Sequence, residues 1–173
     1  IIHAYSTPPE GPAEVMNHVN VNLCGKRIEH SFVTAFFGVY HPTTRRLVYT
    51  RAGHEPPIVK NAGSGGPTHR LDGAGGIPLG ILEDTVYEEE EIVLEPGQTL
   101  VLYTDGITEA RDPDGAMLGI EGIEQALIEC SGEPDCVVNS ILAAVRSHEA
   151  GIRPGDDQTI VSLKVLEDDS SGH

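Results

Sequence analysis

The chain has 173 residues, 39% of them hydrophobic, enough for one globular domain with a substantial core and too few for two of ordinary size. Its 27 acidic and 11 basic side chains leave a formal charge of −16, which disfavours nucleic acid and anionic membrane as partners, because both need a cationic face. No run approaches the roughly 18 apolar residues that span a bilayer, and the N-terminus lacks the order of a signal peptide, so a cytoplasmic location is expected.

The opening Ile1-Ile2-His3-Ala4-Tyr5 has no cap and reads as the tail of a helix that begins outside this sequence. Pro12 suits a first helical turn, and Val15, Met16, Val19, Leu23 and Cys24 recur at helical spacing, predicting an amphipathic helix. The β-rich run from Phe32 to Tyr40 and the strand Leu47 to Thr50 flank a turn containing Pro42 and predict a hairpin. Pro56 and Pro57 precede a short strand at Ile58 and Val59, and the Gly-rich stretch Asn61 to Gly66 is expected to turn. The string GGIPLG, Gly75 to Gly80, is not expected to be regular structure. Strands at Tyr87 to Leu94 and Thr99 to Tyr103 flank Glu95-Pro96-Gly97 and predict a second hairpin, with Glu88 to Glu91 as a solvated strand edge.

Two consecutive helices follow, one with Ile120, Ile123, Leu127 and Ile128 on a face, the other with Val137, Val138, Ile141, Leu142 and Val145. A last strand runs from Thr159 to Val165, and residues 167–173 form a polar tail. Strands early and adjacent helices late favour antiparallel sheets with helices on their faces, an α+β class. The three cysteines, Cys24, Cys130 and Cys136, make no CxxC pair and imply buried or idle thiols; the eight histidines form no HExxH.

Two strand ends carry the chemistry. Leu100 to Tyr103 delivers Asp105, followed by Gly106, which leaves room beside the side chain; Gly155-Asp156-Asp157-Gln158 precedes the final strand. If these strands are neighbours, their acids converge at one sheet edge, and hard cations such as Mg²⁺ or Mn²⁺ take carboxylate oxygens. By itself, each signal is more often that of an ordinary turn.

The ordered series FVTAFFGVYHP, RAGHEPPIV, GIPLGI, LEPGQTLVLYTDGITEARDPDG, LGIEGIEQAL and GDDQTIVSLKV resembles the SpoIIE/RsbU-like branch of the metal-dependent (PPM-type) serine/threonine protein phosphatases, from about Pro12 to Val165. The resemblance implies a two-layer antiparallel β-sandwich flanked by α-helices, lacking its N-terminal strands, over residues 1–166. It implies two Mn²⁺ or Mg²⁺ ions with Asp105 and Asp156 as ligands, and gives Asp157 and Gly106 smaller parts in the metal site. The reaction it implies is hydrolysis of phosphoserine or phosphothreonine by ion-activated water, without a side-chain nucleophile. The implied substrate is a phosphorylated STAS-type anti-sigma-factor antagonist, and the parent protein is expected to carry an upstream sensor or receiver domain. An upstream motif like DVSGHG, whose aspartate bridges the metals, is absent from this sequence. That absence keeps a second expectation open, a catalytically degenerate binding or regulatory module. His54 could approach the phosphate or protonate the leaving alcohol, or simply fix the turn before Pro56. Glu109 is expected as a surface carboxylate.

Overall fold

The structure is a computed structural model that describes residues 10–25 and 32–166. The helix tail expected at Ile1 to Tyr5 and the polar tail 167–173 lie outside the described residues. In chain order the elements are α1 (Pro12–Gly25), β1 (Ala35–His41), β2 (Arg46–Ala52), β3 (Ile58–Lys60), β4 (Thr68–Arg70), β5 (Gly75–Gly76), β6 (Glu90–Val93), β7 (Thr99–Tyr103), α2 (Asp105–Thr108), α3 (Gly119–Leu127), α4 (Pro134–Glu149) and β8 (Ile160–Lys164). They divide between two compact units: one holds the described residues up to His54 together with Asp72–Leu94, the other Glu55–Leu71 and the chain from Glu95 on.

The first unit contains α1 and a sheet in which β2 pairs with β1, β5 and β6. The expected hairpin forms as β1 and β2, antiparallel with Ala35 opposite Ala52 and His41 opposite Arg46, and Arg45 closes its turn in the left-handed region at φ 55°. Helix α1 begins at Pro12, where a missing N–H costs nothing, and the Glu89 carboxylate accepts the Ala13 N–H at 3.0 Å. Its apolar stripe buries Met16 against Ala52, Leu79 and Tyr87, with Val19 and Leu23 beside them. Asn20 is fully buried on that face, donating to the Leu82 carbonyl at 2.8 Å and accepting from the Gly80 N–H at 2.9 Å, so its desolvation is offset.

The second unit has a four-stranded antiparallel sheet in the order β4-β3-β7-β8. Ile58, Val101 and Tyr103 from the sheet pack with Ile107, Ile123 and Leu127, and with Val137, Ile141 and Val145 from α4. These last three recur every four residues and are at most 1% exposed, so each contributes roughly 1.5–3 kcal/mol of burial. The helical periodicities of the sequence thus mark the buried stripes, except at Ile128, which caps the end of α3 and is exposed.

Two expectations need correction, and one strand had no counterpart among them. β6 and β7 do not form a hairpin: β6 pairs with β2 and β7 with β3 and β8, in different sheets. The backbone around the turn is committed elsewhere, Leu94 N–H to the Arg45 carbonyl, Gly97 N–H to the Val165 carbonyl and Val165 N–H to the Gln98 carbonyl. A Glu-Pro-Gly turn therefore redirects the chain between sheets here. Gly75 and Gly76 do form a short strand, parallel to Arg51 and Ala52, where the lack of side chains lets the Tyr87 ring approach to 2.8 Å of a Cβ position on Gly76. β4 had no clear signal because Thr68-His69-Arg70 lacks the apolar alternation of a half-buried strand.

Candidate functional site

The two acidic loops meet in the second unit. Antiparallel pairing puts Tyr103, the last residue of β7, opposite Ile160, the first of β8. The pairing continues past both strand ends: the Thr104 N–H donates to the Thr159 carbonyl at 3.1 Å, and the Thr159 N–H donates to Thr104 Oγ1 at 3.0 Å. Thr104 Oγ1 in turn donates to the Asp157 carbonyl at 3.1 Å. The TDG and GDD segments are thereby tied together by three bonds, all made through Thr104. The neighbouring-strand condition on which convergence of the acids depended is met.

Asp105 is the first residue of the short helix α2, exposed, its Oδ1 accepting the Gly106 N–H at 3.0 Å. Asp156 is exposed, and its Oδ1 accepts the Asp157 N–H at 2.7 Å. Each carboxylate is thus oriented through one oxygen and keeps a second for another ligand. Gly106 is buried, and a Cβ there would lie 2.3 Å from the Asp157 carbonyl oxygen. Only glycine permits the two loops this close an approach. Asp157 contributes its carbonyl to the junction and exposes its side chain.

A cleft of about 290 Å³ opens beside this junction, lined by Gly106, Glu109, Arg111, Glu149, Arg153 and Asp156 among others. Glu109 is an exposed residue capping the end of α2, its N–H on the Asp105 carbonyl at 2.7 Å. Glu149 was missed by sequence reading. It is only 6% exposed and accepts from Gln158 Nε2 at 2.7 Å, linking the end of α4 to the GDD loop. Its signal was present: it continues the buried series Ile141, Val145 by a further four residues.

His54 belongs to the first unit. Its carbonyl accepts from Arg51 Nη1 at 2.8 Å, and Gly53 before it is left-handed at φ 63°, with the Pro78 ring 2.5 Å from any added Cβ. Glu88 to Glu91 are exposed as expected, yet Glu90 accepts from the Tyr49 hydroxyl and Glu91 pairs with Arg46. Burial and the Glu90 hydrogen bond both push the Tyr49 hydroxyl pKa up, burial more strongly.

The donors at the junction are hard oxygens, the right kind for Mg²⁺ or Mn²⁺. They are too few alone: among the described residues no three His, Cys, Asp or Glu side chains gather into a group able to hold an ion. Asp105 and Asp156 therefore offer two carboxylates of a suitable kind without completing a side-chain cage among the described residues.

A solved SiaA-PP2C domain of Pseudomonas aeruginosa superposes with a TM-score of 0.75 over 89% of this chain and 61% of that one, at 20% identity. The likeness defines the fold as that of PP2C-type phosphatase domains, with mixed α and β elements and antiparallel sheets. The family model for stage II sporulation protein E (SpoIIE) matches residues 1–166, and the chain belongs to this family, in the SpoIIE/RsbU-like branch of the PPM phosphatases. Among curated relatives, Protein IcfG of Synechocystis is 30% identical over 132 residues, covering 76% of this chain and 20% of that protein. Phosphoserine phosphatase RsbU of Bacillus subtilis is 29% identical over 165 residues, covering 92% of this chain. The chain spans 47% of the length of RsbU. No helix of the described residues is long and apolar enough to cross a membrane.

Proposed function

We propose that the chain is the catalytic portion of a Mn²⁺- or Mg²⁺-dependent protein serine/threonine phosphatase. The observation that carries this reading is the joining of the TDG and GDD loops through Thr104, which brings Asp105 and Asp156 to one end of the β7–β8 pair. These two carboxylates would hold the cation, with lesser parts for Asp157 and the Gly106 backbone. When bound, the ions supply an acidified water and neutralise phosphoryl charge. The protein's own contribution is to hold the loops in register through Thr104, with Gly106 allowing their approach and the Gln158–Glu149 bond fastening the GDD side to α4.

The name of RsbU supports phosphoserine as the substrate group. The substrate we propose is a phosphorylated STAS-type anti-sigma-factor antagonist, reached in the cytoplasm by a parent protein bearing an upstream sensor or receiver domain. The full-length protein with Mn²⁺ should release phosphate from a phosphoserine protein of this type, and Asp105→Asn should reduce release at least a hundredfold while leaving the fold intact by circular dichroism. Undiminished release by Asp105→Asn sinks the assignment.

The alternative outcome is a phosphatase-like binding module without catalysis. Full-length protein that binds the phosphoprotein but releases no phosphate with either cation would establish that reading instead.

A further inference from the structure

The cleft beside the Thr104 junction holds two cations that no carboxylate neutralises. Arg111 and Arg153 line it together with Glu109, Glu149 and Asp156, yet neither guanidinium is ion-paired with any of the three. Elsewhere in the protein Arg46, Arg70 and Lys164 pair with glutamates, while Arg51 and Lys60 donate to backbone carbonyls. In a chain of 27 acidic and 11 basic residues, two unpaired arginines in one cleft beside the acidic loops are a local exception to the prevailing charge.

Both arginines stand on backbone that is held in place. Arg153 lies in the loop between α4 and β8, which Glu149 fastens from two sides: its carbonyl accepts the Ile152 N–H at 2.9 Å and its Oε1 accepts Gln158 Nε2 at 2.7 Å. Pro154 follows and restrains Arg153 to extended backbone. Asp156 is carried by the same loop. The Arg153 guanidinium has no hydrogen-bond or ion-pair partner among the described residues. Arg111 is bridged to Met117, and the Leu118 N–H donates to the Ala110 carbonyl at 2.9 Å. Its Nη1 donates to the Gly115 carbonyl at 2.8 Å, which aims the side chain and leaves its other N–H donors open.

We infer that Arg153, assisted by Arg111, grips the phosphoryl oxygens of the phosphoserine side chain, an inference that rests on the phosphatase reading of this site. A phosphate monoester carries about −1.5 to −2 charges at pH 7. A protein with a net charge of −16 repels it at long range, so a local cation is needed to hold it. Guanidinium suits the task, because its planar fork donates two parallel N–H bonds to two oxygens of one phosphoryl group. Two like charges in one cleft also repel each other, and an anion bound by both relieves that repulsion. The cleft, about 290 Å³, lies at the small end of ligand clefts and suits one phosphorylated side chain better than a folded surface. A serine that has lost its phosphate offers the arginines no anion, so the same pair favours release of the product protein.

One readout needs neither ion nor turnover. In the full-length Asp105→Asn protein with EDTA, at constant ionic strength, the Nε–H NMR signals of Arg153 and Arg111 should shift on titration with inorganic phosphate and with a phosphoserine peptide. The unphosphorylated peptide should leave them in place. Arg146, exposed on α4 and outside the cleft, is the internal control. Arg153 signals that move no more than those of Arg146, or that respond to phosphate but not to the phosphopeptide, overturn the inference. The other readout is kinetic. With Mn²⁺ and a phosphoserine protein, Arg153→Ala should raise KM about tenfold or more, as loss of a charge-assisted bond does, with a smaller change in kcat. Arg153→Lys should recover part of the loss, and Arg146→Ala should behave as wild type. A fall in kcat at unchanged KM overturns the inference too, because it marks a loop displaced at Asp156 and not a lost grip. Absence of phosphate release by the wild type sinks the phosphatase reading instead, and the titration then decides by itself whether the arginines bind the anion.

Discussion

Gly106 occupies an ordinary helical backbone position in α2, so its requirement for glycine is one of space. The atom that a methyl group would strike is a backbone carbonyl oxygen, that of Asp157, which has no rotamer with which to retreat. Gly106→Ala should therefore push the GDD loop away from Thr104 and cost about 1–3 kcal/mol, as overpacking usually does. Urea denaturation gives the cost, and amide shifts at Thr159 in NMR spectra report the separation. Unchanged stability with unchanged shifts would refute the close approach. Of this site the sequence disclosed Asp105, Gly106, Asp156 and Asp157, because strand-end acids beside glycine are visible as strings. It did not disclose Thr104 as the tie, since a hydroxyl bonded to two backbone groups of a segment more than 50 residues away leaves no local pattern. Lys60 was hidden too, although its partners are local, because a lysine beside an apolar pair reads as a strand-end surface charge. It is fully buried, its Nζ donating to the carbonyls of Asn61, Gly63 and Gly66 at 2.8–3.0 Å, so that the turn expected there is wrapped around a cation.

At the scale of elements, α4 shows where periodicity reads well and where it stops. Its buried stripe followed from apolar residues four apart, but its end did not, because the left-handed cap falls on Ala150 at φ 48° one residue before Gly151. An L-residue there bears roughly 1–2 kcal/mol of steric cost, and Ala150 is exposed, so its methyl group returns little packing. Ala150→Gly should stabilise the protein by about 0.5–1 kcal/mol after the entropy of the more flexible unfolded chain is deducted. A calorimetric melting temperature equal to or below wild type would contradict this. Strand pairing was less legible than helix faces. The hairpin β1–β2 was readable because a single turn joins partners adjacent in sequence. The pairing of β2 with β6 and of β7 with β3 and β8 joins distant segments, and no turn residue encodes it. The β6–β7 expectation failed at this point: Glu-Pro-Gly specifies that the chain turns, whereas the partner of each strand depends on which sheet offers unfilled hydrogen bonds.

For the whole molecule, charge is the property read most directly from sequence and tested most simply. A formal charge of −16 repels itself in the compact state, while the ion pairs described are exposed or half-buried: Arg46 with Glu91, Arg70 with Glu121 and Glu124, and Lys164 with Glu133. Pairs of this kind are worth about 0–1 kcal/mol each and weaken as salt screens them. Self-repulsion among 27 carboxylates is long-ranged and is screened over a Debye length of about 10 Å at 0.1 M salt. The two effects have opposite signs with ionic strength, and the excess of 16 negative charges outnumbers the cations engaged in those pairs. Raising NaCl from 10 to 300 mM, concentrations that span roughly 30 Å to 6 Å of screening length, should therefore raise the melting temperature. A glucose series at matched osmolality separates screening from general solute exclusion. A melting temperature that falls with salt would place more stability in the Arg70, Arg46 and Lys164 pairs than their exposure allows. A steeper rise with MgCl₂ than with NaCl at equal ionic strength, abolished by Asp156→Asn, would separate site binding of the cation from screening.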